Sequence, residues 1–512
     1  MTHMTLSSSQ HAKTVKKDAG LTALLGPVCL IATMAGTLIL YRIVIARAGL
    51  EVIGLWTILN VAAAFISLVD IGFSQVLVRE IHVADGLEGS TNSLLDKHAA
   101  EQVYRWFLWL VAIPAALAAG WLLPGVPYDR GRFCLALVLT AWGAVIQLQA
   151  GLEASVLAAL QENARIQAVN TAAAVLSLAV AILGSYLDAP IEGFALGNLC
   201  AALLTRSRFQ RRVAGHGLMI PRTRLAPREL VARAGAMARR GGYFYSISLG
   251  TILREPLFRI TIAYFLGVKA LGVYAIALRA SVAARDVVAG GFAVLYPAMA
   301  SLNRAGNRKD SEALQVASVI VLTVFGWATL GCLYGLAEPV LAFLLGSLPE
   351  GLVNATRILV VWNLITLFNV PFCHLLEATG HEKASSASLW VHTLAIMILW
   401  PLQSIVHLSL NGVLYYWTIT SLATQAVIYY NVEKQLDRFL SVLRNRSVSM
   451  VILFAFVYFG IIISSGSFVS NYTGTMPDLL FLAATILFTT IIFMASAIAI
   501  SWPTLKRYWQ QT

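Results

Sequence analysis

The chain has 512 residues, of which 58% are hydrophobic and only 12% charged, and a formal net charge of +12. Soluble domains carry about 25% charged residues, so this composition excludes a soluble globular protein and points to a polytopic membrane protein. Five cysteines, Cys29, Cys134, Cys200, Cys332 and Cys373, lie in apolar stretches without CxxC spacing; packed thiols are expected, not disulfides or metal sites. No cofactor is expected.

Met1 to Lys17 is polar and basic, and no A-x-A-like site follows the first apolar run, so no cleavable signal peptide is expected. A spanning helix needs about 20 apolar residues. Such stretches recur at 21–46, 50–72, 101–124, 132–159, 166–186, 190–206, 242–266, 270–300, 313–337, 354–376, 386–406, 410–431, 449–468 and 478–501, fourteen spans in all. One set of connections between them holds Lys13, Lys16, Lys17, Arg79, Lys97, Arg165, Arg304, Arg308, Lys383, Lys434, Arg444 and Lys506. The long 207–241 connection adds nine arginines from Arg208 to Arg240. The opposite set holds little beyond Arg47, Arg130, Arg132 and Lys269, with Asp188, Glu192, Glu338 and Glu350 among them. That asymmetry is the positive-inside rule. It predicts both termini in the cytoplasm, and it accounts for the net charge without nucleic acid; contact of 207–241 with anionic lipid headgroups is a second reading.

Residues 42–56 read RIVIARAGLEVIGLW and residues 259–274 read RITIAYFLGVKALGVY. Both begin R-I-x-I-A, and both carry G-x4-G-x-aromatic (Gly49, Gly54, Trp56; Gly267, Gly272, Tyr274). The match predicts a parallel repeat. Its parts are an N-terminal tail (1–20), an N-lobe of spans 1–6 (21–206), a basic inter-lobe linker (207–241), a C-lobe of spans 7–12 (242–431), and a C-terminal helix pair with a cytoplasmic end (432–512).

The segment Gly49 to Arg79, with G-L-E-V-I-G-L-W and then D-I-G-F-S-Q-V-L-V-R, resembles the first helical hairpin of Wzx-type O-antigen flippases. These belong to the multidrug/oligosaccharidyl-lipid/polysaccharide exporter superfamily. Gly272-Val-Tyr274, Leu295-Tyr-Pro297 and the following R-A-G-N-R-K-D-S-E-A agree with the second lobe. The resemblance implies two six-helix lobes, alternating access, and a polyprenyl-pyrophosphate-linked glycan as cargo. It also implies a bacterial cytoplasmic membrane and, as partners, membrane lipids and the glycan polymerase and export machinery. Related peptidoglycan-precursor flippases use arginines in a central cavity; multidrug relatives place an aspartate in the first helix for cation coupling. Residues 21–41 hold no acidic group, a departure from that second pattern.

Intramembrane ionisable groups are costly, at least ~2.5 kcal/mol each, and usually face a bundle interior or a wet cavity. Arg254 and Glu255 stand near the middle of span 7, and Glu255 and Arg259, four residues apart, share a face and are expected to pair. Arg254 points well over 90° away from that pair. On span 8, Arg279 and Asp286 share a face and Arg285 points elsewhere. Arg42 matches Arg259 through the repeat, either facing the cavity or snorkelling outward. Arg254, Arg259, Arg279 and Arg42 are therefore the candidate substrate-binding residues, against the plain alternative of a structural salt-bridge network. Glu255, Glu153 and Asp70 are the candidate coupling or pairing carboxylates. Glu153 follows Gln149 by one turn, and either proton titration or interhelical hydrogen bonding suits it. Asp70 and Glu377 end spans 2 and 10, where turn and hinge duty is the stronger reading. His82, His374 and His381 have no metal-ligand spacing; Tyr243, Tyr245 and Tyr296 fit an interfacial aromatic belt.

The function expected is a lipid-linked oligosaccharide flippase for an O-antigen or exopolysaccharide repeat unit. A multidrug exporter on the same fold is the alternative; cationic drugs favour a negative cavity. An integral-membrane glycan polymerase or glycosyltransferase ranks lowest, since it needs acidic residues on a substantial external loop and the external connections are short.

Overall fold

Each of the expected spans is mainly helical where the computed structural model describes it. Apart from isolated positions, the described residues are 33–70, 73–77, 87–122, 128–216, 226–289, 308–379, 381–436, 439–469 and 486–502, and no strand occurs among them. In chain order the helices are α1 (33–48), α2 (Leu50–Ser67), α3 (Leu87–Phe107), α4 (Ile113–Leu122), α5 (Arg130–Ala159), α6 (Asn163–Tyr186), α7 (Pro190–Gly215) and α8 (Pro227–Ala289). Then follow α9 (Arg308–Gly335), α10 (Ala337–Leu345), α11 (Leu352–Phe368), α12 (Val370–Ala378), α13 (Glu382–Val406), α14 (Leu410–Leu436), α15 (Phe439–Arg444), α16 (Arg446–Val469) and α17 (Thr489–Ala499). Nine stretches among the described residues are long and apolar enough to cross a membrane, and one of them, Leu253–Ala289, covers expected spans 7 and 8 together. The helices α7 and α14 fall outside that group. They carry polar residues along their length, Glu192, Asn198 and Arg206 on one, Thr418, Ser421 and Gln425 on the other. The side chains of His82, Tyr243, Tyr245, Tyr296 and Glu377 lie outside the described residues.

Span 3 is longer than its sequence signal. Helix α3 passes through a π turn at Leu108–Ala112 into α4, where Pro114 removes one donor from the helical ladder. Trp106, Trp109 and Leu110 are largely exposed on this helix. Such a surface suits lipid, which needs backbone groups satisfied but accepts apolar side chains.

The sequence repeat has a backbone counterpart. Gly49 caps α2 at φ 85°, ψ 170°, and Gly267 interrupts α8 at φ 88°, ψ 168°. This region is essentially reserved for glycine. The matched glycines thus turn the chain identically between the two helices of each first hairpin, while Gly54 and Gly272 are buried within the helices that follow. A Cβ added at Gly49 or Gly267 would meet nothing within 4 Å, so its cost is backbone strain alone. Gly49→Ala and Gly267→Ala are each expected to cost about 1–3 kcal/mol. Gly460→Ala, a mid-helix position also with open space around it, is expected to be neutral or stabilising. Melting temperatures in detergent check both; equal behaviour of the three variants would refute the strain argument.

The chain divides into two units, Met1–Ile260 and Thr261–Thr512. In the first, α6 and α7 meet backbone to backbone: a Cβ on Gly193 would stand 2.6 Å from the Gly184 Cα, and one on Gly197 2.6 Å from the Ser177 carbonyl oxygen. Such close approach is the packing mode of membrane helices, where small residues replace the hydrophobic drive. Trp56 of α2 donates to the Pro190 carbonyl (3.1 Å) and stacks on Phe194. In the second unit α9 packs against α11 and α16. There Gly331 and Gly335 leave room for Tyr458 and Ile486, and the Tyr458 hydroxyl meets Thr490 Oγ1 at 2.7 Å, beside Cys332 Sγ 3.0 Å from the same oxygen. The C-terminal pair is thereby fastened to α9.

Two polar clusters of the first unit join connections that the alternation of spans puts on one side. Tyr128 donates to Glu192 (2.8 Å), Arg132 pairs with Glu192 and donates to the Asp188 carbonyl (3.1 Å). Burial and that Glu192 hydrogen bond push the Tyr128 phenol above its ordinary range. On the other side Arg212 donates to both oxygens of Glu162 (2.6 and 2.8 Å), with His216 Nε2 at 3.0 Å. The Arg212 bonds hold the Glu162 carboxyl down at about 2.

Candidate functional site

Pro256 sits inside α8. Lacking an N–H, it leaves the carbonyl four residues earlier without its helical donor, so the helix is weakened just where its charges lie. Arg259 donates through Nη2 to Glu255 Oε1, the expected pair one turn apart. The pair is not deeply buried: the Glu255 side chain is 42% exposed and that of Arg259 20%. Arg254 is half-buried.

Helix α8 also begins earlier than span 7. Its first turns, 227–239, belong to what the sequence shows as the basic linker, and they form an amphipathic helix. Leu230 and Met237 are buried, and between them on the same face Arg233 donates to Asp96 Oδ1 at 3.0 Å. The linker's second half is therefore docked on the first unit.

Further along α8, in the second unit, Arg279 is half-buried. Arg285, expected to point away, folds back onto its neighbour Asp286, with Nε and Nη2 at 2.9 and 2.6 Å from Oδ1. Helical spacing separates adjacent residues by about 100°, but the long guanidinium arm bridges that gap. Arg42 is exposed on α1.

Asp70 is a cap. Its Oδ1 accepts from the backbone N–H of Phe73 (2.9 Å) and its Oδ2 from the Ser74 hydroxyl (2.8 Å), as the turn reading has it.

Glu153 has the partner that sequence reasoning missed. Lys97, placed by the sequence among the charged connections, lies instead on α3, and its Nζ is 2.6 Å from Glu153 Oε2 and 3.6 Å from Glu101 Oε1. All three side chains are buried, and Arg105 reaches the other oxygen of Glu101 at 3.8 Å. Neighbouring Asp96 and Lys97 thus hold two different elements, the linker helix and α5. Counting Lys97 as a loop charge hid this.

In the second unit a buried polar cluster has no counterpart in the sequence reading. His392 on α13, Trp362 on α11, and Trp417 and Ser421 on α14 meet there. No group of His, Cys, Asp and Glu among the described residues is arranged to hold a metal ion.

The sequence matches no family model and no curated protein. The fold does match solved structures. The lipid II flippase MurJ in an inward closed conformation superposes with a TM-score of 0.60 at 11% identity, over 95% of this chain and 99% of that one. An outward-facing multidrug resistance MATE family transporter of the MOP superfamily gives 0.57 at 15%, over 83% and 97%. A MOP superfamily transporter from Pyrococcus furiosus, described as having a binding pocket of reverse polarity that suggests a different function, gives 0.53 at 16%, over 83% and 99%. At these identities the likeness establishes architecture, and the conclusion is that this chain is a multi-pass, all-helical membrane protein with the fold these transporters share.

Proposed function

We propose that the protein is a flippase, moving a polyprenyl-pyrophosphate-linked oligosaccharide from the inner to the outer leaflet of a bacterial cytoplasmic membrane by alternating access. A pyrophosphate and a hydrated glycan do not cross hydrocarbon unaided. Guanidinium forks suit phosphate geometry and replace its hydration. Arg254, Arg259, Arg279 and Arg42 are the headgroup-binding residues in this reading, with Glu255 setting the posture of Arg259. Partners in the same reading are the glycan polymerase and export machinery that receive the flipped lipid.

The observation that carries the proposal is the sign and placement of charge on α8. Arginines outnumber carboxylates there, and Glu255, partway along a membrane helix, is 42% exposed. A carboxylate in that position has to meet water, since lipid contact is too costly; the pair therefore marks a wet face. Multidrug export is the second reading, supported by the multidrug transporter fold, which superposes nearly as well, but an arginine-rich face repels cationic drugs.

Purified protein in vesicles decides between them. Given a fluorescent polyprenyl-pyrophosphate-linked oligosaccharide in one leaflet and, separately, a cationic dye, it is expected to expose the glycan on the other leaflet and leave the dye. Movement of the dye without the glycan lipid would overturn the proposal.

A further inference from the structure

We propose that the first turns of α8 dock on anionic phospholipid headgroups, through the helix face that carries Arg228, Val231, Gly235 and Arg239. Residues of a helix advance by about 100° each, so Arg228, Gly235 and Arg239 fall within about 40° of one another, with Val231 beside them. Leu230, Arg233 and Met237 lie on the opposite side, the one docked on the first unit. There Leu230 and Met237 are buried and Arg233 donates to Asp96 Oδ1 at 3.0 Å. The outer face is open. Arg228 and Arg239 are exposed, Val231 is 72% exposed, and a Cβ added at Gly235 would meet nothing within 4 Å. It also lacks a counter-charge of its own. The one acidic residue of 227–239 is Glu229, about 100° round the helix from Arg228, and it accepts from Arg233 Nε at 3.0 Å.

Two contacts set the depth of this segment. Lys97 Nζ is 2.6 Å from Glu153 Oε2, and Glu153 lies six residues before Ala159, the end of α5, about 9 Å along the helix axis. Asp96, next to Lys97 in the chain, holds Arg233. The middle of 227–239 is thereby tied beside the last turns of a membrane-crossing helix, on the side that the arginine-rich connections mark as cytoplasmic. Arg228 and Arg239 stand within about 9 Å of Arg233 along the helix, which keeps both in the headgroup zone. A helix held there with cationic and apolar residues on its free face is suited to an anionic leaflet. Lipid phosphates supply the missing counter-charge, and guanidinium forks match their geometry. An acidic soluble protein would match the charge as well, but the leaflet is what lies beside the face at this depth. Not every arginine of 207–241 is available for this: Arg212 is taken up by Glu162 and Arg233 by Asp96. The inference rests on membrane placement and not on which cargo is moved.

The test needs no cargo. Phosphatidylglycerol is titrated into the purified full-length protein in a neutral detergent, and the melting temperature is followed, since a ligand of the folded state raises it. The readout compared is the lipid concentration giving half of the rise, because replacing a helical glycine raises stability by itself. An arginine beside an anionic surface contributes about a fivefold preference. The double change Arg228→Gln with Arg239→Gln should therefore move the midpoint up by roughly twentyfold. Gly235→Glu should move it up and Gly235→Lys down, each by about fivefold. These two variants add side chains to open space off the docked face, so they keep the fold and must act in opposite directions if charge on this face is what the lipid meets. Phosphatidylcholine and glycerol 3-phosphate should each leave the melting temperature unchanged, and about 1 M salt should weaken the phosphatidylglycerol effect. An unchanged midpoint in all three variants would leave the face to an acidic protein partner and overturn the inference. A response to glycerol 3-phosphate equal to that of the lipid would overturn it too, by making this a small-anion site.

Discussion

Lys97→Met is expected to be the most damaging single change in the first unit, lowering stability by about 3–5 kcal/mol, the usual consequence of removing one member of a buried ion pair. The Lys97 ammonium is the 2.6 Å partner of Glu153 and lies 3.6 Å from Glu101, and these side chains are only 11%, 4% and 8% exposed. Take it away, and two carboxylates remain in the helix interface, Glu101 with the well exposed Arg105 at 3.8 Å and Glu153 with the attraction of Arg206, neither cation replacing the 2.6 Å contact of Lys97. The double variant Lys97→Met with Glu153→Gln removes the pair together. It should recover most of the loss, because exchanging a buried pair for neutral groups is often close to neutral. Melting temperature in detergent and yield of monodisperse protein measure both. A Lys97→Met protein as stable as wild type would mean that the network is dispensable. A double variant no better than the single one would mean that Lys97 acts through something other than Glu153.

The elements of this fold were readable where a single residue type suffices for the physics. Hydropathy located the spans, since any mostly apolar stretch of the right length satisfies its backbone by becoming a helix. The turn between the first two helices of each half was readable from Gly49 and Gly267, whose shared φ and ψ no other residue adopts without strain. Reading failed where pairing decides. Nothing near Glu153 in the chain announces Lys97, and a lysine close to a span end looks like a topology charge until the helix is seen to run through it. The α6–α7 contact through Gly184, Gly193 and Gly197 was equally hidden, because small residues are common throughout the apolar spans and only the partner helix reveals which ones touch. His392 was passed over because one histidine in an apolar helix has no spacing signal; its meaning comes from Ser421, Trp362 and Trp417 on other helices. Of the candidate residues, adjacency along one helix gave Glu255–Arg259 correctly, while the same reasoning sent Arg285 away from Asp286.

Arg259→Gln is expected to abolish surface-glycan export nearly completely while leaving the protein folded. Burial of the pair would confound this variant, since an orphaned buried carboxylate destabilises on its own. The structure removes much of that concern. Glu255 is 42% exposed, so the pair behaves more like a solvated ion pair, worth ~0–1 kcal/mol, than like the Lys97–Glu153 pair. Stability and export should therefore separate in Arg259→Gln and move together in Lys97→Met. Arg259→Lys keeps the charge but loses the bidentate fork, so partial export is expected. The double change Glu255→Gln with Arg259→Gln leaves no orphaned charge at all, and under the flippase reading it should still fail to complement export. Full export by a well-expressed double variant would assign the pair a purely structural role. Headgroup binding would then fall to Arg254, which points away from the pair on the same helix, and the same lysine and glutamine series at Arg254 would decide whether any arginine of this face holds the pyrophosphate.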